Sequence, residues 1–116
     1  MSNCVVYHNP RCSKSRQALE LLDKKKVPYK IFYYLKEELT VVSFSETLKK
    51  LKMSPRDILR INEVEFKENN LFDKNLTDKQ ILDVIIKFPK LIERPIVIHG
   101  DNAVIARPAK KLLEIL

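Results

Sequence analysis

A chain of 116 residues, 45% of them hydrophobic, fits one domain, residues 1–116, and carries too much apolar material to stay disordered. No window nears the roughly 20 apolar residues of a membrane span, the opening MSNCVVYHNP has no basic region leading into an apolar run, and two cysteines make no disulfide framework, so a reduced, cytoplasmic, non-membrane protein is expected. A net charge of +7 would suit an acidic partner, but the lysine runs Lys24-Lys25-Lys26, Lys49-Lys50 and Lys110-Lys111 fall late in predicted helices, so a nucleic-acid surface is not expected; two cysteines and two histidines are too few for a metal site.

In chain order, Cys4-Val5-Val6-Tyr7 reads as a short buried strand that ends in the turn residues His8-Asn9-Pro10. From Ser13 the period becomes helical, with Ala18, Leu21 and Leu22 on the inner stripe and Arg16, Glu20 and Lys24 facing water. Pro28 to Leu35 reads as a second strand, which makes a βαβ unit. A helix is expected near 40–52 with Val41, Phe44, Leu48 and Leu51 on one face, and a shorter one opening at Ser54-Pro55-Arg56-Asp57. Glu63 to Asn75 looks irregular. Thr77-Asp78-Lys79-Gln80 matches a capping box ahead of Ile81, Leu82, Ile85 and Ile86. Pro95 to Ile98 and Ala103 to Ala106 predict a hairpin turned at His99-Gly100-Asp101-Asn102, with His99 exposed, and Pro108 opens a last helix whose Leu112, Leu113 and Leu116 cover the sheet. The order is that of an α/β mixed sheet flanked by helices, with a helical insertion between the two strand pairs.

Cys12 falls where a strand gives way to a helix, and unpaired helix N–H groups there favour a thiolate. His8, Arg11, Lys14 and Arg16 surround it in sequence, and nearby cations lower a thiol pKa. Cys12 therefore reads as an activated nucleophile, against the plainer reading of a half-buried turn residue. In Cys12-Ser13-Lys14-Ser15 the second thiol of a CxxC motif is replaced by a hydroxyl, which can donate to the sulfur but cannot resolve a disulfide; Ser15 reads equally as an ordinary first-turn serine. His8 reads as a tuning group or a plain turn residue. Cys4, in the first strand, is expected in the core and outside the chemistry.

The strings YHNPRCSKSRQALELL, SPRDILR, LIERPIVI and ARPAKKLLEIL stand in the order seen in the glutaredoxin-coupled arsenate reductases, and the chain resembles that ArsC family from about Val5 to Leu116. The resemblance implies a thioredoxin-like (glutaredoxin-like) fold, attack of Cys12 on arsenate or a related oxyanion, and support from Arg60, Arg94 and Arg107. His8, Ser15 and Arg16 are the expected substrate-binding neighbours. It also implies a cis bond before Pro95, glutathione as reducing co-substrate, glutaredoxin as recycling partner and no bound cofactor. Planar guanidinium groups suit tetrahedral oxyanions through paired, charge-assisted hydrogen bonds, although on local sequence alone Arg60 reads as a solvated helix residue. The expected enzyme is a monomeric arsenate reductase. The alternatives are a non-enzymatic regulator of the same fold that binds RNA polymerase, which typically carries CxxC, and a general glutathione-linked thiol reductase.

Overall fold

The computed structural model describes residues 3–116. The chain divides into two compact units, one built from the chain up to Glu38 together with Arg94–Leu116, the other from Leu39–Glu93. The first holds strands β1 (Cys4–Tyr7), β2 (Lys30–Phe32), β3 (Ile96–His99) and β4 (Asn102–Ile105), helix α1 (Ser13–Lys24) and a 3-10 helix, Ala109–Glu114. Its sheet is mixed, in the order β2-β1-β3-β4, with β1 parallel to β2 and antiparallel to β3, and β3 antiparallel to β4. This is the mixed α/β architecture expected of a thioredoxin-like chain.

Side chains alternate across a strand, so Cys4 and Val6 share one face, and they pack with Val97, Ala18, Leu22, Ala106 and Leu112 into a fully buried cluster. The α1 stripe read from sequence thus supplies Ala18 and Leu22 to the core. On the other face Tyr7 meets Phe32 edge-on, with ring centroids 4.9 Å apart, and stacks on Tyr34 at 5.9 Å. The hairpin turns on Gly100, whose φ of +64° suits the first central position of a two-residue turn.

The second unit carries helices α2 (Val41–Leu51), α3 (Val64–Glu68) and α4 (Asp78–Lys87), with 3-10 turns at Pro55–Ile58 and Pro89–Leu91. α4 packs against α2 and both 3-10 turns, and Ile58, Ile81, Ile85 and Leu91 are buried. The capping box forms as read: the Gln80 N–H donates to Thr77 Oγ1 at 3.1 Å and the Thr77 N–H to Gln80 Oε1 at 2.8 Å. Thr77→Ala is expected to cost about 1 kcal/mol. The check is a lower urea midpoint at unchanged slope.

Several boundaries differ from the sequence reading. β2 stops at Phe32, because the Tyr33 N–H turns onto Glu37 Oε2 at 2.7 Å and the chain leaves the sheet. Val41 is exposed, and Thr47 joins Phe44 and Leu48 in facing inward. The stretch read as irregular contains α3, which buries no residue and so shows no apolar stripe. His99 is not a turn residue: it ends β3, and its Nδ1 lies 2.9 Å from the Ile115 carbonyl. In the terminal 3-10 helix only Leu112 is buried; Leu113 is exposed, since three residues per turn put adjacent residues on different faces, and Leu116, beyond the helix end at Glu114, is exposed as well. Lys110 and Lys111 lie inside that short helix rather than late in a long one.

Candidate active site

The sheet register sets up the site. Tyr7 at the end of β1 pairs with Ile96 at the start of β3, and Ile96 pairs with Ile105 at the end of β4. Residues that follow Tyr7, precede Ile96 and follow Ile105 therefore emerge at one end of the sheet. Those are the loop His8–Cys12, the Arg94-Pro95 pair, and Ala106-Arg107. Sequence separation is cancelled by antiparallel pairing.

The loop is held by its own polar groups. The Cys12 N–H donates to the Asn9 carbonyl at 3.0 Å, the Arg11 N–H to Asn9 Oδ1 at 3.1 Å, and the Asn9 N–H to Ser15 Oγ at 3.3 Å. Arg16 reaches back, its Nη1 donating to the Pro10 carbonyl at 2.8 Å. These contacts leave Cys12 at the N-cap of α1 in an extended conformation, its carbonyl accepting from Arg16 N–H at 3.1 Å. An N-cap side chain faces the unpaired N–H groups of the first turn.

Burial is the largest single influence on the Cys12 thiol and pushes its pKa up, but it is outweighed. The Ser15 N–H, a hydrogen bond from the Arg94 side chain, the Lys14 N–H and the Arg94 charge together bring it below the ordinary thiol value. The stabilising cation comes from far down the chain. Lys14 acts on the sulfur through its backbone, and so does Ser15, whose hydroxyl oxygen accepts from Asn9.

His8 is 6% exposed, its ring 6.0 Å from that of Tyr33. Burial first and the Arg16 charge second lower its pKa, so the imidazole is neutral at pH 7 and brings no positive charge to Cys12. Its Nδ1 is buried without a hydrogen-bond partner among the described residues.

Arg107 Nη1 donates to the Arg94 carbonyl at 3.3 Å, which ties the second arginine to the residue that contacts the sulfur. Both Pro95 and Pro108 follow cis peptide bonds; only the first was expected. Arg60 belongs to the second unit, partly buried, with Nε 3.3 Å from Glu63 Oε1 and Nη1 2.8 Å from Glu93 Oε1. It is not the solvated helix residue that local sequence suggested, because two carboxylates engage it. Sequence reading missed Asn9, Glu63 and Glu93. The three-residue spacing from Arg60 to Glu63 was a legible signal; the Arg60–Glu93 pair was not, since it depends on the Leu59–Ile92 bridge.

No disulfide involves Cys4, buried in the core, or Cys12, partly exposed, and burial pushes the Cys4 thiol up. Iodoacetamide is expected to modify Cys12 promptly and Cys4 only after denaturation, which intact-mass and peptide mapping would read. Among the described residues no group of three or more His, Cys, Asp or Glu could hold a metal ion, and no helix is long and apolar enough to cross a membrane.

A family model described as the ArsC family matches residues 7–115. The chain is 40% identical over 112 residues to the uncharacterized protein YfgD of Escherichia coli K12, covering 96% of this chain and 94% of that protein. It is also 40% identical over 113 residues to an arsenate reductase of Haemophilus influenzae, covering 97% of each. A solved arsenate reductase from Vibrio cholerae superposes with a TM-score of 0.94 at 38% identity, over 97% of each chain.

Proposed function

Because this chain belongs to the ArsC family, we propose that it is an arsenate reductase in which Cys12 is the nucleophile and glutathione and glutaredoxin supply the electrons. The observation that carries this reading is the environment of Cys12, where two N–H groups and the Arg94 guanidinium favour the thiolate over the thiol. Arg94 and Arg107 are assigned to the oxyanion, for which paired N–H donors on a planar cation are suited. Arg60 is assigned to the same reaction on the family resemblance, and His8, Ser15 and Arg16 to shaping the substrate position.

The chemistry balances as two thiols oxidised for one arsenic reduced. The Cys12 thiolate bonds to arsenic, and one arsenate oxygen leaves as water after protonation. A glutathione thiolate then attacks the Cys12 sulfur, the S–As electron pair departs on arsenic as arsenite, and a Cys12–glutathione disulfide remains. A glutaredoxin thiolate takes the glutathionyl group and releases the Cys12 thiolate. An external thiol suits a chain whose other cysteine, Cys4, is buried. In this reading residues 1–116 act as one domain and as a monomer in the reducing cytoplasm, without a resident cofactor, because the electrons arrive on a diffusible thiol.

The test is a coupled assay with arsenate, glutathione, glutaredoxin and a nicotinamide-linked recycling system. Nicotinamide oxidation that requires arsenate, this protein and glutathione is expected. Oxidation that proceeds equally without arsenate, on a glutathionylated disulfide alone, would replace this reading with a general thiol reductase.

A further inference from the structure

Arg11, Lys14 and Arg16 flank Cys12 in sequence, but the cation that hydrogen-bonds its sulfur is Arg94, and Lys14 reaches the sulfur through its backbone N–H. Arg16 is committed to the Pro10 carbonyl. That leaves Arg11, exposed, and Lys14, partly exposed, whose side chains form no hydrogen bond or ion pair among the described residues. Their position is electrostatically unfavourable for the fold, since the first turn of α1 contains no acidic residue and the positive end of a helix disfavours cations. A local conflict beside the reacting atom, with no compensating partner inside the chain, is the pattern of a residue kept for a ligand.

We propose that Arg11 and Lys14 form a docking pair for the carboxylates of the thiol reductant, a small anionic thiol of the glutathione class. This rests on the reading above, in which Cys12 exchanges with such a thiol. Arsenate is small enough to be held at the sulfur itself. A peptide thiol carries its carboxylates several bonds from its sulfur, so their partners belong on long, uncommitted side chains close to Cys12 in the chain, and Arg11 and Lys14 stand one residue before it and two after it. Exposed charge pairs of this kind act on encounter and selectivity, and salt weakens them.

The test leaves arsenate out. The full-length protein is mixed with glutathione disulfide, which is anionic, or with hydroxyethyl disulfide, which is neutral, at low and high salt, and the Cys12 adduct is followed by intact mass. In each case the Cys12 thiolate attacks one sulfur, the S–S bond breaks and one thiolate leaves. The ratio of the glutathione rate to the neutral rate should fall with salt in the wild type. In the double variant Arg11→Ala with Lys14→Ala it should drop about fivefold at low salt and lose its salt dependence. Arg11→Lys with Lys14→Arg should keep the wild-type ratio, and Lys14→Glu, which suits a helix first turn, should push the ratio lowest. An unchanged ratio in the double alanine variant overturns the docking pair even if arsenate turnover is observed. The expected ratios in a protein that shows no arsenate turnover would instead overturn only the arsenate reading. A Cys12 inert to both disulfides overturns both.

Discussion

Cys12→Ser is expected to abolish arsenate-dependent turnover, with a loss of at least about four orders of magnitude, while leaving the fold intact. The loss follows from the chemistry: a serine hydroxyl does not ionise near neutral pH and cannot form the sulfur adduct or the glutathione disulfide. The intact fold follows from position. Cys12 is partly exposed and sits at the N-cap of α1, where serine is a preferred residue whose oxygen can accept from the same first-turn N–H groups. The urea midpoint should therefore match or exceed that of the wild type, while turnover and the glutathione adduct disappear together. Turnover within tenfold of wild type in a folded Cys12→Ser would remove Cys12 as nucleophile.

The parts of the fold that were legible in sequence are those with a strong local period or cap. The α1 stripe, the Thr77 capping box and the β3–β4 hairpin each announce themselves within about a dozen residues, because hydrogen bonding and burial there are set by near neighbours. The failures are tertiary. Nothing in the aromatic run Pro28 to Leu35 signals that Tyr33 will bond to Glu37 and leave the sheet. Helix α3 buries no side chain, so no pattern could reveal it. His99 was misplaced because its partner is a carbonyl near the other end of the closing segment, Ile115.

The site divides in the same way. Cys12 at a strand-to-helix junction could be read from its neighbours, and the helix N–H groups that stabilise it follow from that position. The cation on the sulfur could not, because Arg94 reaches Cys12 through the β1–β3 register rather than through local sequence. The local cations that sequence reading credited with the pKa effect are committed elsewhere or uncommitted. Only the family resemblance had pointed to Arg94 and Arg107, and it said nothing of the Arg107 bond to the Arg94 carbonyl or of the carboxylates on Arg60.

Arg94 is the residue on which a single substitution tests both the electrostatics and the oxyanion assignment. Arg94→Ala removes a hydrogen bond and a charge that favour the Cys12 thiolate, so the thiol titration should move up from its lowered wild-type position. The sign in pH follows. A thiol whose folded pKa lies below its unfolded value stays reactive as pH falls until the folded pKa is crossed; in Arg94→Ala that loss of alkylation rate comes at higher pH. Its linked contribution to stability has the same sense, complete above the unfolded thiol pKa and lost as pH falls through the folded one. Turnover should fall by about 10²- to 10³-fold, the range for loss of one donor that stabilises developing negative charge, and more than the change in thiolate fraction alone accounts for. Arg94→Lys separates the two roles. An ammonium keeps the charge and should restore most of the thiol shift, but it cannot reproduce a bidentate fork, so turnover should remain close to that of Arg94→Ala. Equal recovery of titration and turnover in Arg94→Lys would reduce Arg94 to a point charge for the thiolate, and no change of either in Arg94→Ala would exclude it from the site.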